Sequence, residues 1–193
     1  MISRCLPALL ALLTTTLSLQ AAEPDFTTEL GKRVGAIQKN STLAQLKEVY
    51  GAKNVRSANL SGPEGTALKG AILFKGSARE MHVIWNDEKP DKEVSDVQLI
   101  GNAWAIEGKL KLGAPLSDVT AVYDGDFRVS GFDWDLGGFA DFKGGKLSGK
   151  VMVRFSPTCQ ADESLTGDKR ISSGDKKLLA ARPTVTELFA VLC

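Results

Sequence analysis

Five carboxylates in one acidic and aromatic stretch are the residues best placed to do chemistry: Asp124, Asp126, Asp133, Asp135 and Asp141. Calcium ions prefer sites with several carboxylate oxygens, although the residue order here does not fit an EF-hand loop. Glycoside hydrolases need two carboxylates at a defined separation. The stretch therefore leaves two alternatives open, a calcium- or small-ligand-binding protein and a carboxylate-based periplasmic hydrolase.

The same stretch also has a structural interpretation, which we favour. In the segment 132–136, the aromatic and aliphatic residues alternate with Asp133 and Asp135. Such alternation is typical of a strand that turns one face to the core and the other to solvent. We therefore assign no catalytic residue, and we expect no metal ion or cofactor.

Aromatic residues supply the candidate binding surface. Each of them taken singly is a core residue, but several on one exposed sheet face would form an interaction patch, because Trp and Tyr dominate binding hot spots. The candidate binding residues are Trp85, Trp104, Phe132, Asp133, Trp134 and Asp135.

Histidine and cysteine are scarce, which excludes several classes of site. With one histidine, His82, and three cysteines, the chain cannot build a His-rich metal site, a four-thiolate zinc site or a cysteine-held iron–sulfur cluster. The sequence also has no Gly-x-Ser-x-Gly elbow and no phosphate-binding glycine loop. We predict that His82 is structural.

Residues 1–22 have the three-part pattern of a secretory signal peptide. Arg4 forms the positive region, the segment 6–19 is apolar, and Ala21 and Ala22 are small residues suited to cleavage. The apolar run is short for a membrane anchor, which needs about 20 residues. We expect a periplasmic or secreted protein with no transmembrane segment in the mature chain.

Cleavage would leave two cysteines, Cys159 and Cys193. An even number of cysteines in an exported chain predicts a disulfide. This bond would tie a long polar connection to the last predicted strand. A redox function is disfavoured because neither cysteine lies in a Cys-x-x-Cys motif.

The charge balance disfavours a polyanionic partner. The chain has 24 Lys and Arg against 23 Asp and Glu, and removal of the signal peptide takes away only Arg4. A net charge near zero gives no reason to expect a nucleic acid or an anionic membrane as the partner.

Two segments align without a gap at an offset of 73 residues, 35–50 and 108–123. Apolar residues coincide in the two segments, and their spacing predicts one face of a short helix in each. Thr42 and Gln45 are placed for a capping box at the first helix. The coinciding pairs are Ile37 with Leu110, Leu43 with Leu116, Leu46 with Val119, Val49 with Val122, and Tyr50 with Tyr123.

The sequence thus predicts an α+β fold of two tandem repeats, each a short helix packed on an antiparallel β-sheet of about four strands. We expect a single α+β domain over residues 23–193. Repeat one covers about 31–101 and repeat two about 104–193, with a long insertion at about 156–183.

This tandem arrangement resembles two groups of exported bacterial proteins, the β-lactamase-inhibitory protein family and the small outer-membrane assembly lipoproteins of the SmpA/OmlA type. The second half is also similar to a group of uncharacterised exported bacterial proteins through the segments 131–138, 167–168 and 172–173. The resemblance implies helix-plus-sheet units. We therefore expect a non-catalytic binding module of the bacterial envelope, an inhibitor or assembly accessory, that binds a protein partner.

Overall fold

The computed structural model describes residues 25–193, so the predicted signal peptide lies outside the described residues. Within them the fold is mixed α+β, with three antiparallel sheets and three short α-helices. The helices are α1 (Leu43–Tyr50), α2 (Leu116–Tyr123) and α3 (Lys176–Ala180). The strands are β1 (Thr28–Glu29), β2 (Arg33–Val34), β3 (Ile37–Gln38), β4 (Val55–Ser61), β5 (Ala67–Leu73), β6 (Met81–Trp85), β7 (Val94–Leu99), β8 (Arg128–Ser130), β9 (Ala140–Asp141), β10 (Val151–Ser156), β11 (Arg170–Ser172) and β12 (Thr184–Val191).

Helix α1 begins and ends where its local residues dictate. The Thr42 side chain accepts a hydrogen bond from the backbone N–H of Gln45, and the Gln45 side chain accepts one from the backbone N–H of Thr42. This is the predicted capping box, which satisfies two of the free donors at the helix start. Gly51, with a φ of 83°, ends the helix.

Helix α2 has the same length but different ends. Pro115 stands at its N-cap and provides no side-chain hydrogen bond. At the other end Asp124 adopts the left-handed conformation that closes many helices. Both helices occupy the positions that the spacing of apolar residues predicts.

The largest sheet has six strands in the order β10-β12-β7-β6-β5-β4. Strands from both halves of the chain meet where β12 pairs with β7, with Phe189 opposite Gln98. The expectation of a separate four-stranded sheet under each helix therefore needs revision, because β12 hydrogen-bonds to both β10 and β7 and joins the halves in one sheet.

Two smaller sheets flank it, β1-β2-β3 and β11-β8-β9. The predicted insertion at 156–183 is more than a polar connection. It contains α3, a 3₁₀-helix at Glu163–Leu165, and β11, which pairs with β8. The insertion thereby completes the small sheet of the second half.

One main core extends through both halves. Each of the three helices places apolar side chains in it, and so does one face of the six-stranded sheet, which we call the inner face. Along β6, Met81, Val83 and Trp85 point into this core, and His82 and Ile84 point to the opposite, outer face. All three helices therefore lie on the inner side.

The predicted disulfide is absent, and both cysteines are free and exposed. The N–H of Cys159 bonds to the carbonyl of Ala181, just before β12 begins, whereas Cys193 follows the end of β12 and bonds to Gly31. The eight residues of β12 separate them by about 26 Å at roughly 3.3 Å per residue. A disulfide needs Cα atoms within about 7 Å, so this fold keeps the two thiols apart.

None of the helices within residues 25–193 combines the length and the apolar character that crossing a lipid bilayer requires.

Candidate functional site

The acidic and aromatic stretch does not form the expected alternating strand. Strand β8 ends at Ser130 and β9 begins at Ala140, and the residues between them form a loop. The loop docks on the insertion. Phe132 donates its N–H to the carbonyl of Leu165 at 2.8 Å, and its own carbonyl accepts from Gly167 at 2.9 Å.

Side chains hold this loop in place. Asp133 accepts a hydrogen bond from the Thr166 hydroxyl at 3.2 Å, and the indole N–H of Trp134 donates to the carbonyl of Gly131 at 2.7 Å. From β10, Arg154 donates to the carbonyl of Gly137 at 2.7 Å. Asp133 and Trp134 therefore serve the loop itself. The exposed Asp135 contributes its carbonyl, which lies 3.4 Å from Arg154.

Most of the predicted aromatic surface is buried. Trp85 and Trp104 are each 1% exposed, and Phe132 is 4% exposed. The indole N–H of Trp104 donates to the carbonyl of Arg79 at 3.0 Å, whereas the buried indole N–H of Trp85 has no hydrogen-bond partner among residues 25–193. Only Trp134 is partly exposed. The proposed aromatic binding surface is therefore wrong for Trp85, Trp104 and Phe132, which the main core takes up.

The five carboxylates disperse, with one exception. Asp126 and Asp141 both line a shallow cleft of about 250 Å³ beside the C-terminal end of α2, together with Arg128 and Lys143. Asp141 forms an ion pair with Arg170. Among residues 25–193, no three His, Cys, Asp or Glu side chains lie close enough to hold a metal ion.

The outer face of the six-stranded sheet carries a second apolar cluster, separate from the main core. Leu60, Ile72 and Ile84 form it, each 8–9% exposed. Ala58, Leu68 and Phe189 are partly buried against it. Every member comes from β4, β5, β6 or β12, so no helix of the described chain contributes to this cluster.

This apolar face continues across the sheet. Phe189 of β12 stands opposite Met152 of β10, which is 38% exposed. On its other side Phe189 stands opposite Gln98 of β7, which in turn faces His82 of β6. Met152, Phe189, Gln98, His82 and Ile72 therefore form one row on the outer face, in which the polar Gln98 and His82 lie between apolar residues.

Besides Arg56 and the Arg154–Glu187 ion pair, this face carries the ionisable groups His82 and Asp96. His82 bonds through Nε2 to Oε1 of Glu80 at 3.0 Å, and the pKa of Glu80 is lowered, chiefly by the hydrogen bond from the Gly76 N–H. Asp96 stands opposite Ile84, and burial raises the pKa of its carboxyl, although a hydrogen bond from the Ser95 hydroxyl opposes that shift. A desolvated carboxylate beside an aliphatic cluster favours a donor or cation from outside. His82 is thus a sheet-surface residue with an acidic neighbour.

Sequence reasoning missed the outer face, although β6 carries the relevant signal. Four of the five residues in Met81–Trp85 are strongly apolar, and His82 is the exception. A strand with a single solvated face shows strict alternation, so Ile84 between Val83 and Trp85 indicates that the second face is also apolar.

No family model matches the chain. No curated protein matches it either. The crystal structure of the uncharacterized protein yfeY from Escherichia coli is similar with a TM-score of 0.49 and 15% sequence identity, over 88% of this chain and 99% of that one.

Proposed function

We propose that this protein is a non-catalytic exported binding module of the bacterial envelope, which binds a protein partner through the outer face of its six-stranded sheet. The observation that carries the proposal is the apolar cluster on that face, to which only strands contribute. The helices pack on the inner face, so the outer face is the broad surface that they leave free.

The composition of this face fits protein recognition. Protein interfaces combine an apolar centre with a polar rim. Leu60, Ile72 and Ile84 supply the centre, while His82 and Gln98 lie alongside in neighbouring positions of the sheet. An antiparallel sheet covered on one side ordinarily alternates apolar and polar residues, with the polar ones in solvent. The three cluster residues are themselves 8–9% exposed, so the accessible apolar area on this side centres on Met152, which is 38% exposed, and that area is the contact we expect for a partner.

Asp96 supplies a polar anchor within this surface. Its carboxyl is partly desolvated in the free protein, and its hydrogen-bond partner among the described residues is Ser95. A Lys or Arg side chain of the partner would pair with it and recover interaction energy that the free protein lacks, because charge-assisted hydrogen bonds are stronger than neutral ones. We therefore expect a partner surface with an apolar patch and a nearby cation.

Substitution of exposed apolar residues on different faces tests the proposal. Met152→Lys places a charge on the outer face, and Leu179→Lys and Val49→Lys place the same charge on α3 and α1. The three side chains are comparably exposed, at 38%, 49% and 48%. The immobilised wild-type protein should capture a partner from envelope extract. Met152→Lys should reduce the amount captured at least about tenfold, whereas Leu179→Lys and Val49→Lys should capture as much as the wild type.

Equal loss in all three variants, or loss only in the helix variants, would move the interface away from the outer face. Far-UV circular dichroism and thermal unfolding of each variant show whether the fold is kept. A protein that retains no partner from its native envelope would contradict the binding function itself.

The two-repeat organisation belongs to the same proposal, as does the likeness to tandem helix-plus-sheet proteins. Three features support it. Helices α1 and α2 have eight residues each at the predicted offset. Both β6 and β10 have a register irregularity before their final aromatic position, Trp85 and Phe155. Gly76 and Gly144 share a φ near 75°.

The polar cleft favours a second candidate, a small-ligand-binding protein or a carboxylate-based hydrolase. It brings Asp126 and Asp141 together with cationic side chains. Hydrolysis of chromogenic glycosides by the wild type, lost in Asp126→Asn and Asp141→Asn, would establish the hydrolase. A rise in melting temperature with calcium, reversed by EDTA, would establish cation binding.

A further inference from the structure

Strand β4 forms one edge of the six-stranded sheet. It has seven residues, Val55–Ser61, and every one of them is paired with β5 on a single side. The sheet order ends at β4, so no other strand within residues 25–193 lies along its second side. A free edge of this length is a template for another extended chain.

The hydrogen-bond pattern shows which backbone groups of β4 face outward. Phe74 donates to the carbonyl of Asn54, and Gly62 donates to the carbonyl of Thr66, on either side of the β4–β5 register. Bonded and non-bonded pairs alternate along an antiparallel ladder. Residues 56, 58 and 60 therefore bond to β5.

The remaining residues have the opposite orientation. The Val55 N–H bonds to the Ala52 carbonyl, and Ser57, Asn59 and Ser61 direct their N–H and C=O groups away from β5, toward the free side. No hydrogen bond to these backbone groups occurs among residues 25–193. Three donors and three acceptors are thus arrayed at the strand spacing, ready to form a second ladder.

The usual protections of an edge strand are weak here. Edges are commonly blunted by proline, by a bulge, by lysine or by a covering element. Strand β4 contains no proline, its register with β5 is regular, and its one charged residue is Arg56. The side chain of Lys69, from the neighbouring strand, bonds to Asn59.

The side chains of β4 are compatible with a second copy of β4 paired along the free edge. Ala58 and Leu60 belong to the outer-face cluster, so an incoming strand needs apolar residues on that face. On the inner side, Ser57, Asn59 and Ser61 require small polar neighbours. A copy of β4 related by a twofold axis perpendicular to the sheet meets both requirements, because such an axis keeps the outer face outward.

We propose that a second copy of this chain pairs antiparallel with β4, which joins two six-stranded sheets edge to edge into one continuous sheet. One register satisfies all the outward groups together. Asn59 lies opposite its own copy, and Ser57 lies opposite Ser61 of the second copy. Six backbone hydrogen bonds then form across the axis.

The same register also brings compatible side chains opposite each other. Ala58 stands opposite Leu60 of the second copy on the outer face, so the two apolar clusters meet and continue across the junction. Arg56 stands opposite Gly62 rather than a second Arg56, so like charges do not face each other. The near-zero net charge of the chain does not oppose self-association. The pairing is independent of the proposed partner, since it uses the sheet edge.

A proline at the axis tests the pairing without disturbing the existing ladder. The N–H of Asn59 points outward, so Asn59→Pro removes an outward donor and leaves the β4–β5 bonds in place. Sedimentation over a range of protein concentrations should show the wild type approaching twice the monomer mass. Asn59→Pro should weaken the dimer by about ten- to a hundredfold, through two lost bonds. Asn59→Ala, which keeps the N–H, should still dimerise.

Crosslinking tests the register itself. In a background with the native cysteines replaced by serine, Asn59→Cys places two thiols across the axis, at Cα atoms about 5.5 Å apart, which suits a disulfide. Mild oxidation should give a covalent dimer. Arg56→Cys, opposite Gly62, should remain monomeric on the same gel.

A wild type that stays monomeric up to millimolar concentration, or that binds an added extended peptide at β4 while remaining monomeric, would overturn the homotypic pairing. Crosslinking of Arg56→Cys in preference to Asn59→Cys would overturn the register. Melting temperatures of all variants confirm that the comparison is made between folded proteins.

Discussion

The two eight-residue helices, α1 in the first half and α2 in the second, end in tyrosines that stabilise their surroundings to different extents. Tyr50 is 3% exposed, and its hydroxyl accepts a hydrogen bond from the N–H of Ala36 at 2.7 Å. Tyr123 is more exposed, and its hydroxyl donates to the carbonyl of Lys143 at 3.0 Å. Each ring packs against a phenylalanine, Phe74 in the first half and Phe142 in the second.

We infer from this difference that the two tyrosines, although they occupy matched positions in the sequence, contribute unequally to the free energy of unfolding. In the first half the tyrosine closes a buried contact between α1 and the short strands at the start of the described chain. In the second half it lies at the rim of the polar cleft. Substitutions at matched positions should therefore have unequal effects.

The largest contrast is expected at two glycines, Gly35 and Gly108, both at positive φ. A Cβ at Gly35 would lie 2.5 Å from the Tyr50 hydroxyl and from the backbone carbonyl of Asp25, whereas a Cβ at Gly108 would meet nothing within 4 Å. Gly108→Ala should cost about 1–2 kcal/mol from backbone strain. Gly35→Ala should cost a further ~1–3 kcal/mol from the clash.

Urea unfolding of the two variants measures this contrast. The wild type is the common reference, and the slope of each transition shows whether the unfolded states are comparable. Equal losses of stability in the two variants would mean that the groups around Gly35 move aside for the added Cβ without a measurable cost.

Removal of the tyrosine hydroxyls gives the next contrast. Tyr50→Phe leaves the Ala36 N–H without its partner inside the protein and should cost about 1–3 kcal/mol. Tyr123→Phe frees a carbonyl of the exposed Lys143, which water can satisfy, and should cost less than about 1 kcal/mol. Thermal or chemical unfolding measures both, and a larger loss for Tyr123→Phe would reverse our ranking of the two sites.

Helix starts give a smaller contrast. Thr42→Ala removes the capping box of α1 and should destabilise the protein by about 1 kcal/mol. Helix α2 has no side-chain cap, so Ser117→Ala in its first turn should change stability by less than about 0.5 kcal/mol. Chemical denaturation resolves the difference. A cost at Ser117 equal to that at Thr42 would show that α2 uses a cap after all.

Two carboxylates should respond to pH in opposite directions. Burial raises the pKa of Asp96, so its charged form is disfavoured in the folded state and stability is lost as pH rises through the folded pKa. The pKa of Asp162 is lowered to about 2, chiefly by a hydrogen bond from the Ser164 hydroxyl, so its contribution is present above about pH 4 and is lost on acidification.

Asparagine substitutions followed from pH 2 to pH 7 test this pair. Asp96→Asn should gain stability relative to the wild type as pH rises. Asp162→Asn should lose stability over the same interval, and the loss should be small because the group is at the surface. If the stabilities of the two variants relative to the wild type changed with pH in the same direction, the opposite pKa shifts of Asp96 and Asp162 would be contradicted.

Local chemistry explains which elements were predictable. Thr42 begins α1 through its capping box, Gly51 ends it at a positive φ, and Asp124 ends α2 with its N–H bonded to the Thr120 carbonyl, so these helix bounds follow from local residues. The strand at Met81–Trp85 was equally accessible from its β-branched and aromatic residues.

Long-range packing explains what was missed. Asp133 and Trp134 alternate like a strand, yet the insertion captures their loop through Leu165 and Gly167, which are distant in sequence. Burial of Trp85 depends on which face of β6 meets the helices, and alternation alone does not reveal this. Trp104 lies in the connection between β7 and α2, where it packs against Phe26. The cysteine pairing was wrong because β12 is extended and holds the residues on either side of it far apart.

The position of β12 has a consequence for biosynthesis. Strand β7 ends at Leu99, and its neighbour β12 begins only at Thr184. Until β12 leaves the ribosome, β7 is paired only with β6, and β10 has no partner strand in the six-stranded sheet; long-range pairing of this kind forms slowly. The nascent chain thus exposes the free edge of β7 while residues 100–183 are made, so chaperone shielding over that interval would favour a high yield.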